Sequence, residues 1–464
     1  MEADVLVVGA GPTGLLMAAE LARYGLSCRL INKASPTADR SRAVGIQPRT
    51  MEIMSQLGLA DSFLAQGIQV RAANAISGGR KLARISFEQL DSPFPFVLSL
   101  EQNKTEQILR DYAASFGVRV ENRELLSLAQ EEKRFSWVIG CDGAHSMVRK
   151  QLQLPFEGRP LRDVFSLADV RVHWDRPHGE VFAFLNTWGI VAAIPLPEKD
   201  RYRLVFQLPR CRNLVHDSLA HGQIDPSIAP NPTVEEIEAL LQRSAGPSVR
   251  VSDPIWMANF QINSRMTQSF RKGRVFLAGD AAHIHSPVGA QGMNTGLQDA
   301  FNLAWKLAYV HQGWAKESLL DTYDLERRAV GKTLLKATER ASQMVAMHNP
   351  LAVALRNAIF SGLTRIPAVR HAIARAISQT TFHYPASAIS NGEGRVIDPH
   401  LLRTKKFHLF LYNAPKQEGL SKHIEQVEVR GEKQASACLV RPDGYIAYRK
   451  RMPCKRLFLD VLVE

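Results

Sequence analysis

The sequence predicts an α/β protein built around a Rossmann-like dinucleotide-binding unit, and three strand ends predict it. Val5 to Val8 form an apolar run that empties into GAGPTG at 9–14. The stretch WVIGCDGAHSMVR at 137–149 is a second apolar run, ending in Asp-Gly, and VFLAGDAAHIHSPVGAQGMNTG at 275–296 is a third. A ligand touched by three strand termini is an extended one, and a dinucleotide lying across the carboxyl edge of a parallel sheet is such a ligand.

Composition frames that fold. At 464 residues the chain exceeds a single core and predicts two or three domains. A hydrophobic fraction of 45% and a charged fraction of 22% belong to a soluble globular protein. The five cysteines, Cys28, Cys141, Cys211, Cys438 and Cys454, are scattered without a CxxC pair, which excludes a zinc ribbon or a disulfide framework and predicts a reducing, cytoplasmic setting. MEADVLVVGAG carries acidic residues where a signal peptide needs basic ones, and no run reaches the roughly 18 apolar residues of a membrane helix. The net charge of +13 is densest at Arg441, Arg449, Lys450, Arg451, Lys455 and Arg456, beside no zinc-finger or RNP-like pattern. No nucleic-acid partner is therefore expected, and the charge suits acidic substrates, anionic cofactors or a phospholipid surface instead.

The first element is the best defined. After the strand 5–8 come Gly9, Gly11 and Gly14, then LLMAAELARYG with helical spacing and a terminating Gly25, then CRLI as a second strand. The first two glycines allow a tight turn and close backbone approach, Gly14 allows tight helix packing, and the helix N-terminus faces a pyrophosphate. The second strand should end in a carboxylate for the ribose hydroxyls, and here it ends in Asn32, followed by Lys33. A neutral amide can still donate to and accept from a hydroxyl, whereas Lys33 would suit a 2′-phosphate, so this unit alone leaves FAD and NADP both open. In the third segment Asp280, His283 and His285 have residue types that suit a metal, but no third and fourth ligand is evident, and none is expected.

Five stretches taken together, GAGPTG (9–14), SRAVGIQPRTMEIMSQLGL (41–59), SLEQNKTEQILRDYA (99–113), CDGAHSMVR (141–149) and GRVFLAGDAAHIHSPVGAQGMNTGLQDAFNLAWKLA (273–308), resemble the FAD-dependent aromatic hydroxylases. These are the flavoprotein monooxygenases of the p-hydroxybenzoate hydroxylase fold, and the likeness is to the subgroup acting on phenols and aromatic polyketides. The resemblance implies that Gly9, Gly11 and Gly14 face the FAD pyrophosphate and that Asn32 stands at the ribose position. It implies that Arg42 reaches the FAD phosphates, that Gln102 lies near the ribityl chain, and that Asp142 belongs to a motif tied to FAD and NAD(P)H. Asp280 would accept from the ribityl hydroxyls, with Pro287, Gly292, Met293 and Asn294 against the flavin ring. His283 and His285 would be loop or packing positions.

The implied reaction is hydride transfer from NAD(P)H to FAD, reaction of the reduced flavin with oxygen to a C4a-hydroperoxide, and hydroxylation of an electron-rich aromatic ring. The cofactor carries that chemistry, so no side-chain nucleophile is required and no catalytic acid or base is assigned. The helix beginning near Gly292, with an apolar face of Leu297, Ala300, Phe301, Ala304, Leu307 and Ala308, would aim its positive end at the anionic edge of the reduced flavin.

The motif positions predict a discontinuous FAD-binding domain at 1–72, 96–165 and 255–310 and an inserted β-sheet substrate domain at 73–95 and 166–254. A helical segment at 311–385 and a short thioredoxin-like C-terminal domain at 386–464 follow. EVFAFLNTWGIVAAIPL and RYRLVFQLP alternate like strands of a sheet over the flavin. LAVALRNAIFSGLTRIPAVRHAIARAI has apolar and basic faces, expected to pack on the protein or at a homodimer contact in preference to a membrane surface. KFHLFLYN and ACLVRPDGYIAYR read as strands with an Asp-Gly turn. Between Leu126 and Trp137 only the polar segment SLAQEEKRFS connects the elements, shorter than the hairpin usual in the family. Beside aromatic hydroxylation stand a same-fold FAD enzyme with other chemistry, such as Baeyer–Villiger oxygenation, quinone-ring hydroxylation or double-bond saturation, and a flavin-binding protein without turnover.

Overall fold

A computed structural model describes residues 3–33, 43–160, 164–208, 211, 221–286, 289–345, 347, 349–387, 389–390, 392, 405–412, 422–429 and 436–451. Its central sheet has the order Arg271–Lys272, Val275–Leu277, Trp137–Gly140, Val5–Val8, Cys28–Asn32, Val120–Asn122, with all neighbours parallel except the first hairpin pair. The three strands behind the dinucleotide reading, 5–8, 137–140 and 275–277, are thus adjacent and parallel, and their carboxyl ends open on one edge. Each is buried along its whole length, which is why each reads as an unbroken apolar run.

Helix Pro12–Arg23 starts with proline in its first turn, where the missing N–H costs nothing. It packs along helix Gly292–His311, which is buried from Asn294 to Tyr309 on every side. The polar residues Asp299, Asn302 and Lys306 are therefore as deeply enclosed as the apolar stripe between them. SLAQEEKRFS forms a short helix, Leu128–Arg134, whose N-cap Ser127 accepts from the Gln130 amide.

A second sheet of eight strands takes its members from 72–86, 165–206 and 222–261, in the order Gly222–Gln223, Arg250–Gln261, Phe165–His173, Arg201–Phe206, Gly189–Pro195, Glu180–Asn186, Ala72–Ser77, Arg80–Ser86. Only the Glu180–Asn186 and Ala72–Ser77 pair is parallel. Helices Asp321–Val345, Pro350–Leu363 and Pro367–Ile377 follow. A four-stranded sheet then runs Ile424–Val429, Phe407–Tyr412, Ser436–Val440, Ile446–Arg451. Its inner residues Phe407, Leu409, Leu411 and Leu439 join the core of the central sheet, with the Phe407 ring 5.6 Å from Trp305 and 5.8 Å from Tyr309, edge to face.

Candidate functional site

The glycine loop at 9–14 is folded by close approach. Gly9 has φ +102°, and a Cβ there would lie 2.4 Å from the Cys141 carbonyl oxygen; a Cβ on Gly14 would lie 1.8 Å from the Gly9 oxygen. Neither position admits a side chain. Gly11, by contrast, has nothing within 4 Å of where its Cβ would be, so the start of helix 12–23 is bare toward the cavity it faces.

That cavity, about 380 Å³, lies between the carboxyl edge of the central sheet and the face of the large sheet. One wall holds Gly11, Pro12, Thr13, Gln102, Asp280, Gly292 and Met293; the other holds Phe165, Leu167, Ile194, Arg203, Val205 and Phe260. Asp280 is the exposed residue of a single 3-10 turn, Gly279–Ala281. Gln102 opens helix Gln102–Ser115, where its side-chain oxygen accepts from the Ala43 amide at 3.1 Å and its amide donates to Glu106 at 2.8 Å.

Other sequence-expected residues stand behind this wall. The Asn32 side-chain oxygen accepts from the Ala10 amide at 3.1 Å, and its amide group donates to the Lys33 carbonyl at 3.0 Å. Lys33 pairs with Glu124 at 2.9 Å. Asp142 turns inward: its carboxylate accepts from Ser146 Oγ at 2.5 Å and from the Met147 and Val148 amides at 2.6 and 3.1 Å, and burial raises its pKa. Asn294 fixes the start of helix 292–311, accepting from the Gln47 amide at 2.8 Å while donating to the Gly45 and Ala290 carbonyls at 2.7 and 2.8 Å. Arg42 and Pro287 lie outside the described residues.

Beneath Gly279 sits a buried charge cluster. Asp299 accepts from the Gly279 amide at 3.0 Å, from His283 Nε2 at 2.7 Å and from Arg327 Nε at 2.6 Å. Burial pushes its pKa up, but Arg327 and then His283 outweigh burial and hold it below the usual carboxylate range. Arg327 also donates to the Thr295 carbonyl at 3.1 Å, so the same cation braces the first turns of helix 292–311.

His285, at the cavity, has Nδ1 at 2.9 Å from the Ser286 carbonyl. A carbonyl only accepts, so Nδ1 carries the proton and Nε2 is left as an acceptor with no hydrogen-bond partner among the described residues. Burial lowers its pKa to about 4, which keeps the ring neutral near pH 7. Among the described residues no group of three or more His, Cys, Asp or Glu could hold a metal ion, and no helix is long and apolar enough to cross a membrane.

The far wall carries no motif in the sequence. Phe165 and Leu167, Arg203 and Val205, and Phe260 are brought together by register: Phe165 pairs with Phe260, Leu167 with Val205, and Ile194 with Arg203. Arg203, buried, is held in two contacts by Asp169 on the neighbouring strand, Nε to Oδ1 at 2.7 Å and a second nitrogen to Oδ2 at 2.5 Å. The available signal is spacing of two along 165–167 and 203–205, which marks one face of each strand without saying what that face meets.

Residues 2–338 match the FAD binding domain family. Among curated relatives, the 6-methylpretetramide 4-monooxygenase of Streptomyces rimosus is 37% identical, over 85% of this chain and 72% of its own length. The rifampicin monooxygenase of Streptomyces venezuelae is 33% identical, over 96% of this chain and 95% of its own length. Among solved structures, the anhydrotetracycline hydroxylase from Streptomyces rimosus superposes with a TM-score of 0.75 at 28% identity, over 97% of this chain and 96% of its own.

Proposed function

The chain belongs to the FAD-dependent aromatic hydroxylases, and from that premise we propose that it uses NAD(P)H to hydroxylate an extended phenolic ring system held against the large sheet. The observation that carries this reading is a cavity with two unlike walls, one of backbone turns and one of apolar side chains.

The first wall fits FAD by its own geometry. The side-chain-free cradle at Gly9 and Gly14, the bare helix start at Gly11 and the exposed carboxylate of Asp280 are what a pyrophosphate and a ribityl chain require. Gly11 and the first turn of helix 12–23 would hold the pyrophosphate. Asp280 would accept from ribityl hydroxyls, and Gln102 would sit beside the same chain. The amides of Gly292 and Met293, at the positive end of a 20-residue helix, would face the flavin's pyrimidine edge. Asn32, Asp142 and Asn294 act through the backbone they fix: the Ala10 amide, the 141–147 turn and the 290–294 corner. Bound there, FAD supplies the electron transfer from NAD(P)H to oxygen by which one oxygen atom enters the ring.

The second wall binds and orients. Phe165, Leu167, Ile194, Val205 and Phe260 offer a flat apolar surface to an aromatic face and exclude water from the space above the flavin. Arg203, buried and held by both oxygens of Asp169, stands at the same wall as a neutral ion pair that fixes the two strands carrying the apolar surface. The relatives named for 6-methylpretetramide and rifampicin support a substrate larger than a single ring.

The test is to titrate apoprotein with FAD by fluorescence, then follow NADPH and NADH oxidation, oxygen uptake and product mass with phenols of one to four fused rings. Ring-dependent stimulation with a product gaining one oxygen atom is expected, best with the larger rings. Absence of FAD binding defeats the reading outright. NAD(P)H oxidation with no oxygenated product from any phenol defeats the hydroxylase assignment and leaves only the flavoprotein.

A further inference from the structure

Across the large sheet, one row of neighbouring strands reads Ile194, Arg203, Asp169, Trp256, each opposite the next in register. The following rows on the same face are apolar: Leu167 stands opposite Val205 and Ala258, and Phe165 opposite Phe260. Arg203 is 1% exposed and Asp169 7%. The guanidinium, gripped by both Asp169 oxygens, also lies over the Trp256 ring, its carbon 5.5 Å from the centroid. A buried ion pair contributes little that two well-packed apolar side chains of similar volume would not, so adhesion between strands does not by itself account for one set into an apolar wall.

The rest of the lining offers a ligand no positive charge. Among the described residues around the cavity there is no lysine and no arginine besides Arg203. His285 is neutral near pH 7, and His221 accepts from the Asn263 amide through Nδ1 at 3.1 Å, the bonding of an uncharged ring. The one carboxylate among the described lining residues, Asp280, borders the same space from the flavin wall. An aromatic molecule bearing a carboxylate would therefore leave water for an apolar surface whose cation is already matched.

We propose that Asp169 is a specificity-determining residue: by holding Arg203 in a closed ion pair, it makes the site select uncharged phenols and reject the same rings carrying a carboxylate. The inference rests on the reading of the large sheet as the substrate wall and adds to it the charge class of the substrate. Asp169 is a positioning residue that acts through Arg203, since Arg203 borders the cavity and Asp169 is not among the residues that do. A carboxylate entering the site either displaces Asp169 from Arg203, leaving a buried anion without its partner, or stays unpaired against the apolar wall with Asp280 across the cavity. Both arrangements are costly, and a hydroxyl or an amide on the same ring incurs neither. Discrimination of this kind comes from what the site refuses as much as from what it grips. With the charge at 169 removed, the same guanidinium becomes a receptor for carboxylate.

The test compares 6-hydroxy-2-naphthoate with its carboxamide, alike in shape and different in charge, on the FAD-loaded full chain. Binding is read from the perturbation of the flavin spectrum, separately from turnover. Wild type should bind the carboxamide about 100-fold more tightly than the acid. In Asp169→Asn that preference should narrow to near equality, and in Asp169→Asn/Arg203→Gln the narrowing should disappear. A merely structural pair would instead weaken both ligands alike. Thermal melts give a second reading: the acid should raise the Tm of Asp169→Asn, where it neutralises the unpaired guanidinium, and leave that of wild type unmoved. Equal affinity of wild type for the two ligands overturns the proposal whether or not the variants fold. So does an unchanged preference in Asp169→Asn, or a narrowing that survives the loss of Arg203. Wild type that binds neither ligand defeats the substrate wall and this proposal with it, whereas binding with the expected preference but no oxygenated product defeats the hydroxylase reading and upholds the role of Asp169.

Discussion

Two adjacent residues of helix 321–345, Glu326 and Arg327, feed two buried charge clusters on the same neighbouring helix. Arg327 reaches Asp299, which also accepts from His283 and from the Gly279 amide. Glu326 reaches Lys306 at 2.8 Å and Arg441 at 2.6 and 3.0 Å; Arg441 also pairs with Asp443, and Asn302 donates to both carboxylates. The chemistry is alike, fully enclosed ions satisfied by opposite charges, yet the first is wired to the cavity loop and the second to the turn of the C-terminal sheet. Arg49 and Gln56 add to the second, donating to the Asp443 and Pro442 carbonyls, both at 2.8 Å. A buried ion pair is weak evidence of stability for its own sake; what distinguishes the two is the backbone each one fixes.

Removing one member from each cluster separates those roles. Asp299→Ala strands Arg327 and frees Gly279, so unfolding free energy should fall by about 4–5 kcal/mol and FAD affinity at least tenfold, read by denaturant melts and fluorescence titration. An unchanged FAD affinity would break the comparison, since Asp299 would then be only a core ion. Arg441→Met should cost about 3 kcal/mol with FAD affinity within threefold of wild type. It should also raise the pH of acid unfolding. Although burial opposes it, Arg441 and then Lys306 hold Glu326 down to about 2 from 4.5, so its contribution is complete above pH 4.5 and lost as pH falls through 2.

His285 offers a smaller test at the cavity itself. With its folded pKa lowered to about 4 from 6.5 by burial, its pH-dependent contribution is complete above pH 6.5 and lost as pH falls through 4. Denaturant melts at pH 7 and 4.5 should show His285→Leu losing about 2 kcal/mol less on acidification than wild type. The least effect belongs to Ala290, whose φ of +53° places a Cβ in the left-handed region at the same corner. Ala290→Gly should add about 0.5–1 kcal/mol of stability by thermal melt, and a loss would show that packing at that Cβ outweighs the strain.

What is legible in the sequence follows the same division. The glycine loop, the Asp-Gly strand ends and the corner before Gly292 can be read because backbone geometry restricts which residues fold there. The apolar stripe of helix 292–311 is readable too, but its polar remainder is not: Asp299, Asn302 and Lys306 look like a solvated face, and only the partners from 326, 327 and 441, distant in sequence, bury them. The helix at 128–134 has a local signal, Ser127 followed three residues later by Gln130, hidden within a segment that reads as a polar connection. Phe165, Val205 and Phe260 have none, because alternation along a strand defines two faces and tertiary packing chooses between them.

The adjacency of Glu326 and Arg327 has a genetic corollary. Neighbouring helical positions point about 100° apart, so adding or deleting one codon in the connection between the helices ending at His311 and beginning at Asp321 would leave its own backbone intact. If the helix then advanced by one position to restore its apolar packing, it would present an arginine to Lys306 and Arg441, or a glutamate to Asp299. Residues 312–320 should consequently conserve their length throughout, while exchanges of side chain are accepted at the exposed Lys316, Glu317 and Ser318 and refused at Ala315, Leu319 and Leu320, which enter the core.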